Sequence, residues 1–200
     1  MTDPVLDRLR SAPADITALR GRLARAAREE GLVNVAYREV DSPIGELLLA
    51  ATPRGLAYVG FQGEDRAEVL GMLAARLGPR VVADDGDAHL AAASDQLAEY
   101  LAGTRQEFDL ALDGALATGF RGEVQRHLAD VGYGRTATYK ELAAGLGRPG
   151  AVRAVGSACA TNPLPLVWPC HRILRSDGGL GGYRGGLDAK RRLLAMESAA

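Results

Sequence analysis

The residue types best suited to chemistry lie in one short segment near the end of the chain. Prolines stiffen the apolar residues 162–169, which lead to Cys170, and His171 and Arg172 follow directly. A cysteine reacts as its thiolate, and a nearby histidine or cation lowers the thiol pKa. Adjacent side chains of an extended chain point to opposite faces, so His171 needs a bend or a bridging water to reach the sulfur atom. The segment predicts a nucleophilic cysteine, and a buried, unreactive thiol is the alternative.

A glycine-rich loop, residues 177–186, follows this segment. Its backbone could approach a flat ligand closely, and Tyr183 could stack on that ligand. The loop lacks the Lys-Ser/Thr ending of a phosphate-binding loop and opens no βαβ unit, which excludes a nucleotide site. A closing helix is predicted over residues 189–196. Glu197 follows it, and its carboxylate either orients His171 or is solvated at the end of that helix.

A second pattern lies upstream of the cysteine. Thr138 and Glu141 have the spacing of a capping box, which predicts a helix beginning at Tyr139. That helix ends at the Gly-Arg-Pro-Gly residues 147–150, and a second helix is predicted over residues 151–161. This spacing is typical of a DNA-binding helix-turn-helix, although plain packing of two short helices gives the same pattern. Arg153 would face DNA in the first interpretation and water in the second.

The remaining periodicities predict the elements that position these motifs. Residues 1–33 have helical spacing, and residues 34–113 alternate between strands and helices. The predicted strands are residues 35–40, 46–51 and 56–61, which form a meander, with further strands at 80–83 and 108–112. Helices are predicted over residues 64–77 and 89–102, and after Gly114 over residues 120–131.

We therefore predict an α+β fold with three parts. Residues 1–33 are a helical extension, and residues 34–113 form an N-terminal α/β domain with a small antiparallel sheet. Residues 114–200 form a mostly helical domain that holds the helix-turn-helix and an active-site loop.

Composition and charge limit the classes of function. The 200 residues are 47% hydrophobic with 24 basic and 25 acidic side chains, which is typical of a globular protein. No apolar run approaches the roughly 18 residues of a membrane span and no targeting signal is recognisable, so we expect a cytoplasmic protein. Two cysteines and three scattered histidines lack the spacing of zinc ligands, so no metal or other cofactor is expected.

The charge is divided unequally along the chain. Residues 1–113 carry a net charge of −7, whereas residues 114–200 carry +6. A basic half is the electrostatic signature of a phosphate-binding surface, although a solvated face of mixed charge gives the same count.

Residues 120–197 resemble the O6-alkylguanine-DNA alkyltransferases, also called methylated-DNA–protein-cysteine methyltransferases. The residues 42–45, Ser-Pro-Ile-Gly, are similar to the N-terminal domain of that family, and residues 1–33 lie outside the resemblance. The matching residues of the C-terminal half are Thr138-Tyr139, Glu141-Leu142-Ala143, Arg153-Ala154-Val155-Gly156, Asn162-Pro163, Pro165, Pro169-Cys170-His171-Arg172, Gly182-Tyr183, Gly185-Gly186-Leu187, Lys190 and Glu197.

The resemblance implies a stoichiometric DNA repair reaction. Cys170 would attack the alkyl carbon on O6 of guanine and keep the group, which inactivates the protein irreversibly. Glu197, His171 and a water molecule would form a relay that produces the thiolate. Asn162 would hold the active-site segment by hydrogen bonds. Tyr139 would protonate or polarise the departing guanine and press on the phosphate of the target nucleotide.

The resemblance also implies how DNA binds. The partner would be double-stranded DNA with an alkylated guanine flipped out of the helix, and Arg153 would fill the gap in the base stack. The second helix would enter the minor groove, and the protein would act as a monomer. Further DNA contacts are expected from Thr138, Tyr139, Ala154 and Arg172. The substrate pocket would be lined by Pro165, Trp168, Tyr183, Arg184 and Gly185.

Three positions depart from the family pattern. Gln125 replaces a frequent tryptophan, Trp168 replaces an aliphatic residue, and Arg184 occupies a variable pocket position. Cys159 is expected to be a small buried apolar residue. Two other functions stay open on the residues alone: a protein that binds lesions without transfer, and a cysteine hydrolase that turns over.

Overall fold

The protein is described here from a computed structural model, which covers residues 16–198. Its first helix, α1 (Ile16–Glu29), lies within the predicted helical extension. Residues 1–15 of that prediction lie outside the described part of the chain. Gly31 follows the end of the helix with a φ of 66°, a conformation that glycine adopts without steric cost.

A four-stranded sheet follows α1. The first three strands form the predicted antiparallel meander, and the fourth pairs with β1 in parallel, which gives the order β3-β2-β1-β4. The sheet is therefore mixed rather than wholly antiparallel. The cause is the helix between β3 and β4, because a helical crossover can return the chain in its original direction. The strands are β1 (Val35–Val40), β2 (Leu47–Thr52), β3 (Gly55–Phe61) and β4 (Val81–Ala83).

Two helices cover the two faces of this sheet. Helix α2 (Arg66–Leu77) packs its Val69 and Leu73 on one face, and helix α3 (Ala88–Leu101) packs its Leu90 and Leu97 on the other. Aspartates cap both helices, since the side chains of Asp65 and Asp87 accept hydrogen bonds from backbone amides in the first turn. Because successive side chains of β1 point to opposite faces, this strand contributes buried residues to both faces of the sheet.

The prediction of a strand over residues 108–112 is wrong. Only one bridge forms there, between Leu56 and Leu112, because the chain then turns into a 3₁₀ helix (Gly114–Leu116). The side chain of Asp113 fixes that turn by accepting a hydrogen bond from the Ala115 amide, 3.0 Å away. At the same place Gly55 is required, since a Cβ atom there would lie 2.2 Å from the carbonyl oxygen of Ala111.

The C-terminal half is mostly helical, as predicted. Helix α4 (Gly119–His127) is shorter than expected, because the chain continues as a 3₁₀ turn (Leu128–Asp130). The capping box is present: the Thr138 hydroxyl accepts from the Glu141 amide at 3.1 Å, and the Glu141 carboxylate accepts from the Thr138 amide at 2.7 Å. The other elements are β5 (Ala137–Thr138), α5 (Tyr139–Gly145), α6 (Val152–Ala160), β6 (Ile173–Leu174) and α7 (Gly186–Ser198).

One apolar cluster joins both halves of the chain. It includes Leu49 and Leu97 from the N-terminal half, and Val124 and Leu164 from the C-terminal half. The α+β fold class is thus confirmed. Within residues 16–198, no helix combines the length and apolar character needed to span a membrane.

Candidate active site around Cys170

Cys170 begins a three-residue 3₁₀ turn, Cys170–Arg172, which leads into β6. This turn supplies the bend that an extended segment lacks. The cysteine is only 6% exposed. Just before it, Leu166 has a φ of 75°, which is unusual for a residue with a side chain and marks a constrained backbone.

Asn162 holds this constrained segment. Its side-chain amide donates to the Trp168 carbonyl oxygen at 2.7 Å, and its side-chain oxygen accepts from the Leu164 amide at 3.1 Å. Asn162 is 2% exposed, so these bonds form away from competing water. Strand β3 adds a further bond, from the Val59 amide to the Pro163 carbonyl oxygen. The segment that delivers Cys170 is therefore fixed from both sides.

A buried carboxylate, Glu197, pairs with the two residues that follow the cysteine. Its Oε1 atom accepts a hydrogen bond from His171 Nε2 at 3.0 Å and one from Arg172 Nη2 at 2.8 Å. Arg172 Nε lies 3.0 Å from the second oxygen, so the pairing is bidentate. The Tyr100 hydroxyl donates to the same Oε1 atom. Tyr100 was not among the predicted site residues, and its only sequence signal is a hydroxyl on an otherwise apolar helix face.

The structure contradicts the prediction that Arg172 contacts DNA. Its side chain is buried against Glu197, and its Nη1 atom donates to the Val131 carbonyl oxygen at 2.6 Å. Arg184 and Lys190 are cations that lower the Cys170 pKa, against the effect of burial. The 3₁₀ turn explains the inward position of Arg172, because it directs the guanidinium group toward the buried carboxylate.

Burial keeps both members of the thiol and imidazole pair neutral at rest. It raises the pKa of Cys170, although a hydrogen bond with Asn162 and the two nearby cations oppose this. It lowers the pKa of His171, although Glu197 opposes that shift. With Nε2 bonded to Glu197, the other ring nitrogen, Nδ1, is buried and has no hydrogen-bond partner among residues 16–198. This nitrogen is available to accept a proton.

Lys190 is a second residue whose position the sequence did not reveal. It is fully buried in α7, where its ammonium group donates to the carbonyl oxygens of Ile173, at 2.7 Å, and Leu180. Burial lowers the pKa of this lysine. The sequence placed it in a run of three basic residues, which is typical of a solvated helix face. Its bonds instead tie the active-site strand to the glycine-rich loop.

A cavity of about 590 Å³ opens beside Cys170. Besides Cys170 itself, three predicted site residues line it: Tyr139, Tyr183 and Arg184. Cys159 also lines it, together with the small residues Gly156, Ala160, Gly181 and Gly182. Burial raises the pKa of Cys159 to about 12, so that thiol is neutral near pH 7.

Three predicted pocket residues do not line this cavity. Trp168 is 6% exposed and belongs to the apolar core, and Pro165 is buried beside it. Gly185 instead contacts the N-terminal half, since a Cβ atom there would lie 2.7 Å from the ring of Phe61. The presence of tryptophan at position 168, in place of an aliphatic residue, therefore affects core packing rather than the wall of the pocket.

Arg184 anchors the glycine-rich loop to the sheet. Its Nη2 atom donates to the Val59 carbonyl oxygen at 2.6 Å, and its Nε atom lies 3.3 Å from Glu64. The guanidinium group also stacks 5.0 Å from the centre of the Tyr58 ring. The third departure, Gln125, is buried and donates to the carbonyl oxygens of Ala158 and Thr161, so it packs α4 against the end of α6.

The helix-turn-helix leaves its second helix open to solvent at the start. Arg153 and Ala154 are exposed on α6, and Val152 is 37% exposed beside them. Tyr139 begins α5 and lines the cavity together with Cys170 and with Gly156 of α6. Thr138 is half-buried, and its hydroxyl is engaged in the capping box. Apart from Arg172, the predicted DNA contacts therefore lie on α6, on α5 or at the residue that caps α5.

The buried carboxylate predicts a specific sensitivity to acid. Burial raises the pKa of Glu197, but hydrogen bonds from His171 and Arg172 outweigh burial and lower this pKa to about 2. Because the folded pKa lies below the unfolded value, this stabilisation is complete above about pH 4.5 and disappears as the pH falls toward 2. We expect a loss of roughly 2 to 3 kcal/mol in the free energy of unfolding from this group.

Urea unfolding between pH 5 and pH 3 measures that loss. The control is Glu197→Gln, which cannot titrate and should have a flatter dependence on pH over the same interval. Equal slopes for the two proteins would show that the Glu197 pKa is not lowered.

Comparisons with known proteins agree with this geometry. The family model of the 6-O-methylguanine DNA methyltransferase DNA-binding domain matches residues 119–199, and that of the ribonuclease-like domain of the same family matches residues 35–114. The methylated-DNA–protein-cysteine methyltransferase of Methanosarcina barkeri is 39% identical, over 80% of this chain and 96% of the relative. The protein of the same name from Mycolicibacterium paratuberculosis is 40% identical, over 82% of this chain and 92% of the relative.

Solved structures give the same result. The crystal structure of Mycobacterium tuberculosis O6-methylguanine methyltransferase aligns with a TM-score of 0.69 and 37% identity, over 82% of this chain and 93% of that one. A structure of Mycobacterium tuberculosis OGT in complex with DNA aligns equally well. Since both family models match and the relatives are covered almost completely, the chain belongs to the 6-O-methylguanine DNA methyltransferase family.

Proposed function

We propose that the protein repairs DNA by transferring an alkyl group from O6 of guanine to the sulfur atom of Cys170. The observation that carries this proposal is a cysteine at the wall of a cavity, followed directly in the chain by His171, which is paired with the buried Glu197. The names of the relatives support the same reaction. The product is an S-alkylcysteine, so each molecule acts once and is consumed.

The chain's own residues account for each step. The thiol proton passes through a bridging water to His171 Nδ1, and the hydrogen bond from Nε2 to Glu197 stabilises the resulting imidazolium. The thiolate then forms a bond to the alkyl carbon while the bond from that carbon to O6 breaks. Tyr139 supplies a proton to the departing guanine, which leaves as the neutral, repaired base, and the proton held by the His171 imidazolium returns through solvent to the Tyr139 phenolate. Asn162 keeps the cysteine segment in place throughout.

The number of turnovers tests this function. The protein is mixed with an excess of duplex containing one O6-methylguanine, and repaired guanine is measured over time. We expect a plateau at one equivalent of repaired base per protein. Continued product formation would indicate a cysteine hydrolase instead. Unchanged lesions, despite tight binding, would indicate a protein that only recognises damage.

The surface of α5 and α6 is the proposed DNA face. The exposed start of α6 enters the minor groove, and Arg153 occupies the space of the flipped nucleotide. Flipping costs a few kcal/mol of lost stacking and pairing, which an inserted side chain partly offsets. We further propose a division into two domains at residue 113, a monomeric protein and a cytoplasmic location with access to chromosomal DNA.

Replacing Arg153 by alanine tests the flipping role. We expect the repair rate of a duplex to fall about 10-fold to 100-fold, because the empty stack is no longer filled. Reaction with free O6-methylguanine base should change little, since no stack exists there. Arg66→Ala, which removes an exposed arginine of α2, is the matched control. Equal losses on both substrates would rule out insertion into the stack.

A further inference from the structure

Tyr100 brings the N-terminal half of the chain into the proposed acceptor site. It is the second-last residue of α3 and is completely buried. Its hydroxyl group donates to Glu197 Oε1 and lies 3.2 Å from His171 Nε2. Tyr100 therefore touches both members of the pair that receives the thiol proton, although it lies 71 residues before His171 in the chain.

We infer that Tyr100 is a positioning residue for the pair of Glu197 and His171, and that its hydroxyl group sets how strongly Glu197 attracts the imidazole proton. This inference rests on the proposed alkyl transfer, because His171 has no need of a tuned proton affinity if Cys170 does not react. Tyr100 does not reach the cavity and acts only through Glu197 and His171.

The position of the ring does not depend on the hydroxyl group. The Tyr100 ring packs against Phe108, with ring centres 5.1 Å apart, and against Tyr133 at 6.1 Å. Phenylalanine would keep these contacts and lose only the hydrogen bond. The hydroxyl of Tyr133 is buried without a hydrogen-bond partner among residues 16–198, which makes it a useful comparison.

The hydroxyl group shares Glu197 Oε1 with two other donors, His171 and Arg172. Each donor draws electron density from the carboxylate and weakens its attraction for the others. Burial and the adjacent negative charge raise the pKa of Tyr100, so this hydroxyl stays protonated and donates at every working pH. Tyr100 therefore fixes one carboxylate oxygen and limits its basicity without adding a charge.

Other charged and titratable groups surround the imidazole. Glu197 and Lys190 belong to α7. Cys170 and Arg172 lie beside His171 in the 3₁₀ turn, and Tyr183 belongs to the glycine-rich loop. None of these changes when the Tyr100 hydroxyl is removed. Loss of that one donor makes Glu197 a stronger acceptor and raises the His171 pKa. Since His171 must be neutral to accept the thiol proton, activity is then lost at a higher pH during acidification.

The test compares Tyr100→Phe, Tyr133→Phe and the unmodified full-length protein. Two rates are followed between pH 5 and pH 9: single-turnover methyl transfer from an O6-methylguanine duplex, and alkylation of Cys170 by iodoacetamide without DNA. We expect Tyr100→Phe to shift the acid limb of both profiles upward by roughly half a pH unit, which slows transfer about 3-fold on that limb and changes it little above the limb. DNA affinity should not change, and Tyr133→Phe should match the unmodified protein in both profiles.

Two results would overturn the inference. One is a Tyr100→Phe variant with the rate and acid limb of the unmodified protein. The other is a slower variant whose acid limb is unchanged, which would indicate a structural role for the tyrosine. If the unmodified protein itself fails to transfer methyl groups, the proposed function is contradicted, and the iodoacetamide profile alone still decides whether Tyr100 tunes His171.

Discussion

Replacing Cys170 by serine is expected to reduce methyl transfer by at least about 10³-fold, because a serine hydroxyl is far less acidic and less nucleophilic than a thiol. The side chain of serine is close in size to that of cysteine, so the cavity and the DNA face should keep their shape. We therefore expect the variant to bind an O6-methylguanine duplex with unchanged affinity. Quenched single-turnover assays measure the rate, and fluorescence anisotropy measures the binding.

Cys159→Ala is the matched control for that variant. Cys159 also lines the cavity, and it is the only other cysteine of the chain. Its thiol is held neutral by burial, so its removal should leave one methyl group per protein still transferred to Cys170. Substantial transfer by Cys170→Ser, lost only when Cys159 is also replaced, would move the acceptor to Cys159.

Replacing Arg172 by methionine is expected to lower the free energy of unfolding by about 3 to 5 kcal/mol, because it leaves a buried carboxylate without its bidentate partner. The variant should unfold at a clearly lower urea concentration. Arg191→Ala, in which an exposed arginine of α7 loses a surface ion pair with Asp188, should change stability by less than about 1 kcal/mol.

The same pair of variants examines the corrected role of Arg172. Measured where both remain folded, the affinity of Arg172→Met for undamaged duplex should equal that of the unmodified protein, since the guanidinium group is buried. A large loss of affinity without a loss of stability would restore Arg172 to the DNA face and contradict the buried ion pair.

Local patterns predicted the elements well wherever one short motif determines the structure. The capping box of Thr138 and Glu141 fixes the start of α5, and alternating apolar residues fix the meander. The prediction of a strand at 108–112 failed because the chain turns there after a single bridge, and the Asp113 side chain stabilises that turn. The parallel pairing of β4 depends on a crossover, which strand periodicity does not encode.

The candidate site was predictable in its residue types but not in its orientations. The sequence indicated Cys170, His171 and Glu197, and the structure pairs His171 with Glu197. It did not indicate that Arg172 turns inward, because this depends on the 3₁₀ turn and on a carboxylate 25 residues later. Tyr100 was missed for a similar reason, since its apolar spacing predicts a core position and only the folded chain shows what its hydroxyl meets.

The final position of the alkyl group tests transfer to Cys170 most directly. Intact-protein and peptide mass spectrometry, after incubation with an excess of duplex containing one O6-methylguanine, locates it. We predict a gain of one methyl group per protein, found on the peptide that contains Cys170, with the guanine restored in the DNA. An unmodified protein bound to unrepaired DNA, or a methyl group on any other residue, would contradict transfer to Cys170.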